Sequence, residues 1–310
     1  MTRVHVRAPG KVNLSLRVAA LQDDGYHPLV TTFQAVSLFE DVEVGDTEPG
    51  AGISISVTGP HADVVPTDSS NLAWQAAELV AAAAGVDPDV HIEITKGVPV
   101  GGGMAGGSAD GAATLVACNA LWSAGLSQTD LSDLAARLGS DVPFGLVGNT
   151  AVGTGRGHLL TPAMSRADLH WVFAVRDEGL STGAVYRAYD EHVGGPAHVS
   201  PDDDAALLSA LRSGDAAAVG AALHNDLQAA SLALAPHLRR TLELATEAGA
   251  LGALISGSGP TVAALAGDLR HAHAIAAAWN AAGVADQVHL ATGPVHGARI
   301  VTHVGPERHP

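Results

Sequence analysis

Pro99-Val100-Gly101-Gly102-Gly103-Met104-Ala105-Gly106-Gly107-Ser108-Ala109-Asp110-Gly111 is the stretch from which the architecture of this chain can be read. Six of the eleven residues from Gly101 to Gly111 are glycine, the residue that loses most backbone entropy on folding. From Ala112 to Leu126 the only ionisable side chain is Cys118, so the loop opens a helix too apolar all round to lie on a surface. A flexible surface linker would instead join polar segments. Bare backbone N–H groups at a helix start form an anion cradle, and phosphate is the anion expected. The spacing Gly101-x-Gly103-x-x-Gly106 also meets the dinucleotide fingerprint, but weakly. That fingerprint follows its strand directly, whereas Lys96 to Val100 intervene here and at least four strands come earlier. The other phosphate loop, G-x-x-x-x-G-K-[ST], and the protein-kinase signatures are absent.

Upstream of the loop the pattern is mostly β. Val4, Val6 and Ala8 alternate, Pro9-Gly10 reads as a turn, and Val12, Leu14, Leu16 and Val18 alternate again. Lys11, Asn13, Ser15 and Arg17 then share the opposite face of the second strand. Strands are also predicted over Leu29–Val36, Ile53–Val57 and His91–Ile94, with a helix capped by Ser69 or Ser70 before the last of them. Downstream, Thr161 to Arg166 has linker character and places a domain boundary at 163/164. The remainder reads as a strand at Trp171–Val175, several helices including Ala216–Leu227, a hairpin through Ser256 to Pro260, and a final helix and strand ending at Thr292.

The chain has 310 residues, enough for two domains with their own cores. Its net charge of −16 argues against nucleic-acid binding. With 47% hydrophobic and 15% charged residues, it is not a disordered chain. No apolar run is long enough to span a bilayer, and the start lacks a secretory h-region, so a cytoplasmic address is expected. The single cysteine, Cys118, forms no internal disulfide. The sixteen histidines, His5 to His309, form no metal-ligand cluster, and no protein metal site is expected. Only Lys11 and Lys96 are lysines, against fourteen arginines. A lysine retained in such a chain marks a place for a compact ammonium. Asp141 is the only carboxylate between Asp133 and Asp168. It follows a predicted helix C-terminus, whose dipole opposes negative charge and favours a proton-accepting role.

In motif order the chain resembles the GHMP kinase superfamily. Ala8-Pro9-Gly10-Lys11-Val12-Asn13-Leu14 is similar to its first motif, Pro99 to Ser108 to its central phosphate loop, and Ile255 to Thr261 to its third. Asp24-Gly25-Tyr26-His27, the long glycine run and Leu138-Gly139-Ser140-Asp141-Val142-Pro143-Phe144 resemble the branch that phosphorylates 4-diphosphocytidyl-2-C-methyl-D-erythritol. The resemblance implies an α+β fold of two domains, with a ribosomal-protein-S5-like N-terminal half (1–163), a ferredoxin-like C-terminal half (164–310) and the active site in the cleft between them. It implies transfer of phosphate from ATP, with Mg²⁺ carried by the nucleotide, to the 2-hydroxyl of that polyol in isoprenoid precursor synthesis. It implies a small-molecule partner; charge and hydropathy point to neither nucleic acid nor membrane, and with no exposed apolar stripe in the sequence a monomer or weak homodimer is expected.

Carried over by motif, Lys11 and Asp141 are the catalytic pair, and Pro99 to Ala109 with Asn71 and Lys96 bind ATP. Asn13, Tyr26, His27 and Tyr186 bind the acceptor, and Ser256, Gly257, Ser258 and Gly259 lie near the phosphates. Tyr26 also stands out without the resemblance, because only 4% of residues are aromatic and a tyrosine beside Gly25 in a turn is ill placed for a core. One departure is visible: the family commonly carries Ser-Ser-Asn where this chain has Ser108-Ala109-Asp110. Met104-Ala105 in place of Leu-Gly reads as a packing change. Homoserine- or mevalonate-type acceptors, and a non-catalytic nucleotide-binding protein, are the alternatives.

Overall fold

The computed structural model describes residues 2–304; residue 1 and residues 305–310, the outer ends of the two expected domain ranges, lie outside it, as does His309. β1 (Arg3–Val18) is one strand of sixteen residues, with Val4, Val6, Ala8, Val12, Leu14 and Leu16 buried. The turn expected at Pro9-Gly10 does not form. Instead the register against β2 (Leu29–Asp46) slips there, from Pro9 opposite Phe39 to Gly10 opposite Val36. Proline has no N–H for the ladder, and a bulge lets the strand continue past it. A Cβ on Gly10 would stand 3.0 Å from the Val98 side chain and 3.3 Å from the Met104 carbonyl oxygen. The bare glycine thus lets the glycine-rich loop lie on β1, where the Lys11 N–H donates to that carbonyl at 3.0 Å.

The first half continues with β3 (Ile53–Thr58), α1 (Leu72–Ala84), β4 (Val90–Thr95), α2 (Gly106–Leu121), α3 (Gln128–Leu138), α4 (Val142–Val147), β5 (Thr150–Thr154) and β6 (Leu159–Pro162). Its sheet runs β12 (Arg299–Val304), β1, β2, β4, β3, with β5 and β6 continuing from the first part of β2. α1 and α2 cover Val4, Val6, Val42, Val44, Ile92 and Ile94, and α2 is buried nearly all round, as its composition predicts.

The second half comprises β7 (Leu169–Val175), α5 (Thr182–His192), α6 (Ala205–Ser213), α7 (Ala216–Ala221), β8 (His224–Asn225), α8 (Gln228–Leu234), α9 (Leu238–Glu247), β9 (Gly252–Ile255), β10 (Val262–Ala266), α10 (Leu269–Ala282) and β11 (Gln287–Gly293). Its antiparallel sheet runs β11-β7-β10-β9. Two expectations fail here. The helix over Ala216–Leu227 stops at Ala221, because the next residues pair with β1 as β8. The chain also returns: β12 (Arg299–Val304) lies antiparallel beside β1, so these residues of the 164–310 range belong to the first sheet.

The halves are fastened across β1. Val12 and Leu14 share a core with Trp171, Phe173 and Leu265. Buried Asp204 accepts from Ser15 Oγ at 2.8 Å and Arg17 Nε at 2.6 Å, while Tyr189 donates to the Val18 carbonyl at 2.8 Å. Among the described residues no helix is long and apolar enough to cross a membrane.

Candidate active site

A cleft of about 990 Å³ lies between the halves, and the glycine-rich loop forms one wall. Gly101 and Gly103 both have φ +72°, a conformation that glycine adopts without strain. At Gly103 the approach of the third motif is also close, since a Cβ would stand 3.0 Å from the Gly259 carbonyl oxygen. Met104 is buried and anchors the loop. Ala105 then begins α2 at φ +63° with no side-chain cap. Helix starts leave their first N–H groups without intrahelical partners, and Gly106, Gly107 and Ser108 carry these groups along the cleft wall. Pro99, Gly101 to Ser108 and Gly257 to Gly259 all line the cleft, whereas Val100 is half-buried outside it and Ala109 faces the core.

The two glycines that open α2 are not equivalent. A Cβ on Gly106 would stand 2.7 Å from Glu40 Oε1, whereas one on Gly107 would meet nothing within 4 Å. Gly106→Val is therefore expected to lower the melting temperature by several degrees. Gly107→Val should leave melting of the free protein nearly unchanged and raise the KM for ATP ~10-fold by screening the N–H groups. Equal ATP kinetics in Gly107→Val and wild type would move the cradle elsewhere.

At the floor of the cleft, β1 presents Lys11 and Asn13 on one face, as the alternation predicts. Lys11 Nζ donates to Asn13 Oδ1 at 2.7 Å and lies 3.6 Å from Asp141 Oδ2. Asn13 is held in turn: its Nδ2 donates to Thr31 Oγ1 at 2.9 Å and its N–H to Ser256 Oγ at 3.3 Å. Ser256 itself is fully buried and acts on the cleft through Asn13. Asp141 does follow α3, but it also begins α4, and its side chain makes no capping bond. The carboxylate thus sits between the end of α3 and the start of α4, with the Lys11 ammonium beside it.

Part of the cleft lining is aromatic: Tyr26, His27 and Tyr186. His27 is buried, with Nδ1 2.8 Å from the Ala19 carbonyl and Nε2 3.5 Å from Asp190 Oδ2. Tyr186 of α5 packs on it with ring centroids 5.0 Å apart, bringing the two halves together. Burial, reinforced by the Asp141 carboxylate, pushes the Tyr186 phenol well above its ordinary range. Tyr26 is 50% exposed, with the Arg156 guanidinium 3.7 Å above its ring. Sequence reasoning missed Arg156, Arg187, Asp190 and Thr182, which also line the cleft. Asp190 stands four residues after Tyr186, so helical spacing from that tyrosine signals it; Arg156 lies in a turn with no such marker.

Two expected ATP residues do not reach the cleft. Asn71 caps α1, accepting from the Ala73 N–H at 2.8 Å while its Nδ2 donates to the Pro66 carbonyl at 2.6 Å. Lys96 is buried beneath the loop, 2.6 Å from Asp110 Oδ2 and 2.7 Å from Glu40 Oε1. Burial and the Asp110 charge raise the Glu40 carboxyl to about 8 despite Lys96, and burial raises Asp110 as well.

Comparison with known proteins places this arrangement. The sequence model for the GHMP kinases N terminal domain matches residues 71–149 and that for GHMP kinases C terminal matches residues 207–285. A 4-diphosphocytidyl-2-C-methyl-D-erythritol kinase of Rhodococcus jostii is 53% identical over 99% of this chain and 97% of its own, and one of Leifsonia xyli subsp. xyli is 51% identical over 97% and 100%. The chain belongs to the 4-diphosphocytidyl-2-C-methyl-D-erythritol kinase family. It is a small-molecule kinase with the two-domain GHMP fold. A crystal structure of a 4-(cytidine 5'-diphospho)-2C-methyl-D-erythritol kinase superposes with TM-score 0.73 at 32% identity, covering 93% of this chain and 98% of that one. A homoserine kinase from Cytophaga hutchinsonii superposes with TM-score 0.76 over 96% and 97% of the two chains, but at 20% identity, a likeness of fold alone.

Within this kinase family, the departure at Ser108-Ala109-Asp110 now has a physical reading. Asp110 faces away from the cleft toward Lys96, so its extra carboxylate compensates a buried lysine. Ala105 is more than a packing change, because its left-handed backbone is one that a glycine would hold without strain.

Proposed function

We propose that this kinase transfers the γ-phosphoryl group of ATP to the 2-hydroxyl of 4-diphosphocytidyl-2-C-methyl-D-erythritol in isoprenoid precursor synthesis. The observation that carries the reading is a single cleft with an uncapped glycine-rich helix start on one wall, Lys11 and Asp141 at its floor, and the Tyr186–His27 pair in its lining. The triphosphate lies against the N–H groups that open α2, with Gly257 to Gly259 supplying further backbone. Asp141 accepts the proton of the attacking hydroxyl. Lys11, fixed by Asn13, orients that oxygen and offsets the charge spread over the transferring group. Ser108, which lines the cleft at the start of α2, would offer an oxygen donor to Mg²⁺ arriving with the nucleotide. When bound, the ion neutralises phosphate charge. Among the described residues no group of three acidic, histidine or cysteine side chains would hold a resident metal. We place the enzyme in the cytoplasm as a monomer or weak homodimer.

The aromatic lining distinguishes this acceptor from homoserine or mevalonate, which have no base to stack. Tyr26→Ala is expected to raise the KM for the cytidyl acceptor ~10-fold, toward the lower end for a base–aromatic contact because the residue is half exposed. The KM for ATP should stay within ~2-fold of wild type. Steady-state kinetics with each substrate varied in turn check this. An equal rise for both substrates would mean general damage, and no rise for either would remove Tyr26 from the site.

A further inference from the structure

Five arginines outside the cleft, Arg3, Arg7, Arg17, Arg176 and Arg240, face carboxylates. Two others line the cleft, and among the described residues neither Arg156 nor Arg187 makes an ion pair. Arg156 has a partner in the Tyr26 ring, but Arg187 does not. Asp190 and Glu191 stand three and four residues further along α5, a spacing at which helical ion pairs form. Asp190 instead faces His27, and the Arg187 guanidinium folds back toward the first turn of α5, with Nη1 3.5 Å from the position a Cβ on Gly183 would take. Among the described residues Arg137, Arg166, Arg212, Arg239, Arg270 and Arg299 also make no ion pair, but none of them lines the cleft; an unpaired arginine that does is placed to meet an anionic ligand.

Its place along the cleft identifies the anion. Arg187 follows Tyr186, in the aromatic part of the lining. On its other side, Thr182 Oγ1 lies 3.0 Å from Ser258 Oγ in the third motif, and a Cβ on neighbouring Gly257 would stand 3.8 Å from Lys11 Nζ. The wall formed by α5 thus runs from the Tyr186–His27 pair to the third motif beside Lys11, and the Arg187 guanidinium lies over the first turn of that helix. In the proposed acceptor, the group between the base and the reacting hydroxyl is a diphosphate. We propose that Arg187 binds this diphosphate and is a specificity-determining residue, favouring acceptors that carry a phosphate linkage over unphosphorylated alcohols. A planar fork of donors matches adjacent phosphate oxygens. The inference rests on the proposed function above.

The test compares cytidine with CDP by titration calorimetry on the full chain, with ADP present to fill the α2 cradle. Wild type should bind CDP more tightly than cytidine. Arg187→Ala should weaken CDP ~10- to 100-fold while leaving cytidine within ~2-fold, and should raise the KM for the full acceptor but not for ATP. Arg187→Lys, which keeps charge without the fork, should recover part of the CDP affinity. Unchanged CDP binding in Arg187→Ala, an equal loss for both ligands, or a matching rise in the KM for ATP would overturn the assignment. Failure of wild type to bind either cytidine ligand would overturn the proposed function itself, and the assignment with it.

Discussion

Asp141→Asn is expected to lower kcat by ~10²- to 10⁴-fold, the range for removal of a positioned general base, with the KM for ATP nearly unchanged. The geometry makes the test clean. Asp141 makes no capping bond, and its side chain is 34% exposed, so a near-isosteric amide removes proton-accepting ability without leaving a buried group unpaired. The amide also removes the negative charge 3.6 Å from Lys11 Nζ, but Lys11 keeps its bond to Asn13 at 2.7 Å and stays in place. Melting should therefore be unaltered. Steady-state and single-turnover rates measure the loss, and wild-type turnover in the variant would show that Asp141 is not the base.

Lys96→Met is expected to destabilise the fold by ~3–5 kcal/mol, the cost of removing one partner from a buried charge cluster. The methionine chain fills much of the lysine stem's space but leaves Glu40 and Asp110, 0% and 1% exposed, facing each other without a cation. Denaturant unfolding measures the loss. Adding Asp110→Asn should recover a large part of it, and a Lys96→Met variant as stable as wild type would mean that the cluster carries no paired charge. The cluster also sets a pH dependence. Glu40, raised from an ordinary 4.5 to about 8, holds its proton in the fold where the unfolded chain has released it. Its contribution is thus fully present below pH 4.5 and is lost as pH rises through about 8. Asp110→Asn, which removes the neighbouring charge, should flatten that slope.

What the sequence reveals depends on whether a residue acts through local pattern or long-range contact. The loop that opens a buried helix was legible because glycine density and an all-apolar helix are local features, and the shared face of Lys11 and Asn13 followed from strand alternation. Pro9-Gly10 misled because the two residues that end a strand elsewhere here sit in one that continues, the bulge being taken up by Ser37 and Leu38 of β2 and the loop packing on Gly10. β12 was missed because its pairing with β1 spans nearly the whole chain, and its residues are exposed, leaving no alternation to read. Lys96 was expected at the nucleotide through the family resemblance. Its sequestration depends on Glu40, 56 positions earlier on β2, a contact with no local signal. Asn71 is a related case, since an asparagine before an apolar run is first of all a helix cap.

The most direct test of the central claim is ADP release from ATP with each of three acceptors supplied singly: 4-diphosphocytidyl-2-C-methyl-D-erythritol, homoserine and mevalonate. The cytidyl acceptor should support turnover and yield a product phosphorylated on the 2-hydroxyl, with the other two at background. Turnover of homoserine or mevalonate at a rate equal to or above that of the cytidyl acceptor, or no turnover of the cytidyl acceptor, would contradict the account.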